Sequence, residues 1–90
     1  MQDQNPFHFL YLDGKCTINF GQTEVSSVSI IIKQNYQTVF EVKWADNILW
    51  PKKEPAKITA IPNAIDFFQF QKLPESQHFI AISINQNYQY

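Results

Sequence analysis

Residues 25–33, VSSVSIIIK, set Val28, Ile30 and Ile32 on one side of an extended chain and Ser27, Ser29 and Ile31 on the other. A period of two is what a strand presents to a core. Nowhere does an i, i+3, i+4, i+7 stripe persist for three helical turns. The same alternation recurs in residues 37–44, QTVFEVKW, with Thr38, Phe40, Val42 and Trp44 on one face and Val39, Glu41 and Lys43 on the other. Between these runs lies Gln34-Asn35, a turn signal because Asn tolerates the left-handed conformation. The pattern predicts an antiparallel hairpin. Residues 7–12 and 15–20 flank Asp13-Gly14, the strongest short hairpin signal in the chain. With Cys16, Ile18 and Phe20 on one face, they predict a second hairpin, followed by a turn at residues 21–24.

The middle is punctuated by Pro51, Pro55 and Pro62, each lacking a backbone donor and so confined to loops or edges. Short strands are expected at residues 48–50 and 57–61, around a KKEP turn. Residues 64–72, AIDFFQFQK, predict a strand with an aromatic on each face, and residues 73–77, LPESQ, a turn. A last strand is expected at residues 78–84, with Ile80, Ile82 and Ile84 on one side, continuing extended to Tyr90. Six to eight short strands joined by hairpins define one all-β domain over residues 1–90, a small antiparallel β-sandwich or barrel.

Composition narrows the function. Seven Lys, no Arg and a net charge of −1 argue against a nucleic-acid reader, which draws on bidentate Arg contacts and phosphate neutralisation. Ten Gln and seven Asn supply the polar surface instead, and amides donate and accept hydrogen bonds without a charge to desolvate. Amide-rich codon usage is the first account of them, and a surface that meets sugars or a neighbouring subunit through amides is the sharper one. Cys16 is the only cysteine, so no disulfide closes within the chain, and its strand position predicts a buried free thiol. No run is long and apolar enough for a membrane helix, and the first residues do not read as a secretory signal. The chain is expected to be made in a reducing cytoplasm.

Catalytic constellations are sparse. The bases are His8 and His78, and the first hairpin would bring His8 near Cys16, but no Asn or Asp is placed to orient the imidazole. The His and Cys residues lack zinc spacing, and no pair of acids falls in a motif of a glycosidase. No enzyme, metal or cofactor is expected. Aromatic side chains are the candidate contact residues: Trp44 and Trp50 on either side of the ADNIL bend, and Tyr36, Tyr88 and Tyr90 at turn or terminal positions. Packing is worth more than contact for a large ring in so small a domain, so the tryptophans are weighed first as core or subunit interface.

Residues 29–66, SIIIKQNYQTVFEVKWADNILWPKKEPAKITAIPNAID, carry a more specific pattern. Ile31, Ile32, Lys33 and Gln34 form an "I-I-K-Q" run, Val42 and Trp44 a "V-x-W" strand, and Ile48, Trp50 and Pro51 an "I-x-W-P" step. Pro55, Ala56, Ile58 and Thr59 stand as "P-x-I-T", and Asp66, Phe68 and Phe70 as "D-x-F-x-F". Upstream, Ile18, Phe20, Gly21 and Gln22 fit a lead-in strand and a "G-Q" turn. In this order the motifs resemble a β-structured module of bacteriophage tail-fibre, receptor-binding and other virion proteins, over about two thirds of the chain. Two departures stand out. Lys52-Lys53 replaces the Gly-Gly that follows W-P in the module, and residues 73–79, LPESQHF, replace its "D-G-G-T-T-W-Y" hairpin.

The resemblance implies a structural or attachment role in a virion, without catalysis and often as a homotrimer. Such a subunit, of tail-fibre, head-fibre or decoration type, would bind a host surface glycan or another virion protein. A small intracellular inhibitor or immunity protein that binds one protein partner is the alternative for a β domain of this size.

Overall fold

The computed structural model describes residues 7–20 and 26–89, so the expected turn at residues 21–24 and Tyr90 lie outside the described residues. The protein is all-β, with seven strands: β1 (Phe7–Tyr11), β2 (Cys16–Ile18), β3 (Ser27–Lys33), β4 (Val42–Trp44), β5 (Ile48–Leu49), β6 (Ile65–Lys72) and β7 (Phe79–Tyr88). One sheet has five strands in the order β1-β3-β6-β7-β5, and β2 and β4 form a second, two-stranded sheet.

β3 shows the alternation of its sequence directly: Val28, Ile30 and Ile32 are buried, while Ser27, Ser29 and Ile31 are less so. Its neighbour β6 repeats the rule, burying Asp66, Phe68 and Phe70. The two run antiparallel with Ile30 opposite Phe68 and Val28 opposite Phe70, so their inward rows form one apolar surface. β6 and β7 make the hairpin expected around residues 73–77, closed by the Leu73 N–H donating to the His78 carbonyl at 2.9 Å. On β7 only Phe79 is fully buried, and Ile82 and Ile84 stand exposed.

The two hairpins expected in the first half do not form. β1 pairs with β3 in parallel, Phe9 opposite Ile31, and β2 pairs with β4 in parallel, Ile18 opposite Trp44. Asp13-Gly14 is a bend that carries the chain out of one sheet into the other. Parallel neighbours need a crossover connection. Here each sheet supplies the other's crossover: β2 lies between β1 and β3, and β3 between β2 and β4. The interlocking sets Leu12 and Ile18 against one core, at the cost of both local turns.

The turn after β3 fails for a second reason. Both edges of β3 are already taken, by β1 and β6. Gln34 is buried and its amide binds Phe40 twice, so residues 35–41 fold away from β3 and deliver Val42 and Trp44 to the smaller sheet. Of the two strands expected in the middle, residues 48–50 shorten to β5 and residues 57–61 form no strand. Pro51–Lys53 is a single 3-10 turn in which Lys52 and Lys53 have φ of 55° and 60°.

Candidate functional site

The residues of the I-x-W-P, P-x-I-T and D-x-F-x-F segments converge. Trp44 meets Trp50 edge-on at 4.9 Å between ring centroids and Phe68 at 5.1 Å, while Trp50 meets Phe70 at 5.7 Å. The Trp44 indole N–H donates to the Ala56 carbonyl at 2.8 Å, which ties the segment after Pro55 across the aromatic cluster. Edge-to-face rings at these separations add to what their burial contributes.

Thr59 and Asp66 are joined in the same way. The fully buried Asp66 carboxylate accepts the Thr59 N–H at 2.7 Å and the Thr59 hydroxyl at 2.7 Å. It also accepts the Asn87 N–H at 2.9 Å and the Gln86 side-chain amide at 3.1 Å. Four neutral donors thus surround a buried acid, and the Gln86 amide also reaches the Lys57 carbonyl. Trp44, Trp50, Asp66, Phe68 and Phe70 of these motifs hold the core together, while Pro51 and Pro55 are exposed.

The aromatic candidates therefore separate. Trp50 is 9% exposed and belongs to the core. Trp44 is half-buried beside it, and with Ala45, Asp46, Ile48, Leu49, Trp50, Lys53 and Pro55 it lines an open cleft of about 380 Å³. Tyr36 and Tyr88 are exposed, and Tyr90 lies outside the described residues.

Register places the exposed pair at one end of the large sheet. Tyr11, Lys33, Ile65 and Tyr88 are successive partners across β1, β3, β6 and β7. Tyr36 follows three residues after Lys33, in a loop that the Asn35 side chain pins by accepting the N–H groups of Gln37 and Thr38. Asn63 donates its N–H to the Asn35 carbonyl at 3.1 Å, and Gln89 reaches the Asn87 side chain at 2.6 Å. The sequence reading missed Tyr11. The parallel pairing that brings it beside Lys33 has no local signature, because β1 and β3 are separated by the whole of β2.

The His8–Cys16 pair that the first hairpin predicts is not assembled. His8 stands opposite Ile30 in the large sheet and Cys16 opposite Val42 in the small one, so the first hairpin that would have joined them is absent. Cys16 is half-buried, and burial pushes its thiol pKa above the ordinary range, which lowers the thiolate fraction a nucleophile needs. The Ser76 hydroxyl lies 3.0 Å from His78 Nδ1 and accepts the His78 N–H, a staple within the exposed β6–β7 turn. Among the described residues no group of three His, Cys, Asp or Glu side chains stands close enough to hold a metal ion. Among the described residues no helix is long and apolar enough to cross a membrane.

Compared with family models, curated proteins and solved structures, the chain finds no match in any of the three.

Proposed function

We propose that the chain is a non-catalytic structural and attachment subunit of a bacteriophage virion, which works as a homo-oligomer and holds a host surface glycan. The observation that carries this reading is the backbone at three positions. Lys52 and Lys53 adopt φ of 55° and 60° where the virion module has Gly-Gly. Glu75 has φ of 55° within residues 73–79, where the module's hairpin has its second glycine. Left-handed backbone is glycine's natural territory and costs other residues about 1–2 kcal/mol. Three non-glycine residues holding it at those places support a shared turn geometry under a diverged sequence.

The glycan part of the reading rests on the tyrosine end of the large sheet. Exposed phenol rings stack on sugar faces while their hydroxyls still hydrogen-bond. Tyr36 and Tyr88 stand there with Asn63, Asn87 and Gln89, whose amides match the donors and acceptors of sugar hydroxyls.

Labelled protein incubated with a panel of bacterial strains tests it. Binding to a subset of strains, lost after periodate treatment of the cells and weakened about ten-fold or more in Tyr36→Ala/Tyr88→Ala, is the expected result. Binding that survives periodate points to a protein receptor and removes the glycan reading. Failure to bind any strain, together with tight capture of one cytoplasmic enzyme, would favour the inhibitor class instead.

A further inference from the structure

Strand β1 carries three aromatic residues, Phe7, Phe9 and Tyr11, that are 49%, 62% and 41% exposed. They share the outer face of an edge strand, since the five-stranded sheet begins with β1. The backbone direction follows from one hydrogen bond. Leu12 donates its N–H to the Lys33 carbonyl at 2.9 Å. By the two-residue period of a strand, Leu10 and His8 also face β3, while Phe9 and Tyr11 turn their N–H and carbonyl groups to the open side. Among the described residues nothing pairs with those groups of Phe9 and Tyr11.

Natural edge strands avoid pairing with strangers by carrying charge, proline or a bulge, or by being covered. Residues 7–11, FHFLY, have no Lys, Asp, Glu or Pro, and the β1–β3 register runs without a break. The opposite flank of the sheet is treated differently. There the two-residue strand β5 forms the edge, covering Phe79 and Ile80 of β7, and β7 itself meets β6 through two register irregularities. Among the described residues the outward groups of Phe9 and Tyr11 have no such cover.

We propose that β1 is the contact through which two copies of this chain associate, pairing antiparallel about a two-fold axis at Phe9. The inference deepens the oligomeric part of the reading above and rests on the chain's being an assembling subunit. The order of residue types along β1 suits this occupant. Reading FHFLY from either end gives aromatic, other, aromatic, other, aromatic. An antiparallel self-pairing therefore sets Phe9 against Phe9 and Phe7 against Tyr11 of the second copy, with every ring on one face. Cross-strand aromatic pairs of this kind stabilise a sheet. β1 carries no Lys, Asp or Glu, its one base, His8, would stand opposite Leu10 of the second copy, and a net charge of −1 per chain opposes association little.

The area sets the strength. With about 150–250 Å² per aromatic side chain, the exposed fractions of the three rings amount to roughly 300 Å² per copy. Both copies together then supply roughly half of the 1,200 Å² or so that begins the range of stable interfaces. Edge backbone and flanking side chains must provide the rest. The contact belongs to the weak end of specific interfaces, with dissociation in the micromolar range.

Light scattering across a concentration series tests this, with Phe9→Lys and, as a control away from β1, Ile82→Lys on β7. The wild type should move toward twice its 10.6 kDa chain mass as concentration rises. Ile82→Lys should follow it, and Phe9→Lys should weaken association ten-fold or more. Phe9→Cys gives a second readout that does not depend on the lysine variant folding. Hydrogen-bonded antiparallel partners have Cα atoms about 5.5 Å apart, within disulfide reach. Mild oxidation should therefore link Phe9→Cys into dimers and leave the wild type, with Cys16 alone, unlinked. A monomer at all concentrations, a trimer, an oligomer indifferent to Phe9→Lys, or no cross-link would overturn the proposal. Strain binding by a wild-type monomer would show that the β1 contact alone is wrong and that the attachment reading stands.

Discussion

Gln34 pairs with Phe40 as one strand residue pairs with another: its side-chain amide donates to the Phe40 carbonyl at 2.9 Å and accepts the Phe40 N–H at 3.0 Å. Its own backbone N–H meanwhile donates to the Ala64 carbonyl at 2.9 Å, extending the β3–β6 ladder. One residue thus continues a sheet with its backbone and starts a departure from it with its side chain. Both Phe40 groups lose their partner in Gln34→Ala, and a buried volume empties. The expected cost is about 2–4 kcal/mol in urea unfolding. Gln37→Ala, exposed in the same loop, should change stability by less than about 0.5 kcal/mol.

Asp66 predicts a sharper effect from a smaller change. All four of its hydrogen bonds come from donors, so an amide in its place must point two further donors at them or leave its partners unmet. Asp66→Asn should cost about 2–4 kcal/mol, nearly as much as Asp66→Ala. Thr59→Val removes one bond and should cost about 1 kcal/mol. A double-mutant cycle between the two positions should show that their effects are not additive.

These two residues mark the division between what the sequence discloses and what it hides. The alternations of residues 27–33 and 65–72 disclosed their strands because one face of each meets the core, and LPESQ disclosed the turn between β6 and β7. Asp13-Gly14 and Gln34-Asn35 misled for a common reason. Both are sound local turn signals, and both were overruled by pairings between strands far apart in the chain. Parallel pairing leaves no mark on a turn, since the crossover can be any segment of sufficient length. Gln34 stood in the I-I-K-Q run without any sign that its side chain would do a backbone's work. Tyr36 and Tyr88, singled out by their turn and terminal positions, stand exposed, and Trp50 lies in the core, the first reading given to the tryptophans. Tyr11 needed the β1–β3 register to be seen.

Trp50 and Trp44 should answer truncation differently from the exposed tyrosines. Trp50→Ala empties a site that is closed on most sides and should cost about 3–5 kcal/mol. Trp44→Phe keeps a ring against Phe68 but loses the hydrogen bond to Ala56, at about 1 kcal/mol. Tyr36→Ala should leave the melting temperature near that of the wild type. A Trp50→Ala variant that melts like the wild type would move that ring out of the core and into the cleft as a contact residue.

Lys52 and Lys53 predict a gain. Both hold left-handed backbone, and neither side chain is buried. The strain of a Cβ in that region, about 1–2 kcal/mol per residue, would vanish in glycine. Against it stands the greater freedom that glycine gives the unfolded chain, about 0.5–1 kcal/mol per residue. The difference leaves about 0.5–1 kcal/mol of added stability at each position. For a domain of this size Lys52→Gly/Lys53→Gly should then melt about 4–8 °C higher for each kcal/mol gained. Asn63 also sits at a φ of 68°, but Asn tolerates this conformation, so Asn63→Gly should gain less than either lysine. Thermal unfolding of the three variants separates the cases. Equal or lower melting of the double glycine variant would mean that the lysines are not strained, and the likeness of this turn to the glycine pair of the virion module would lose its support.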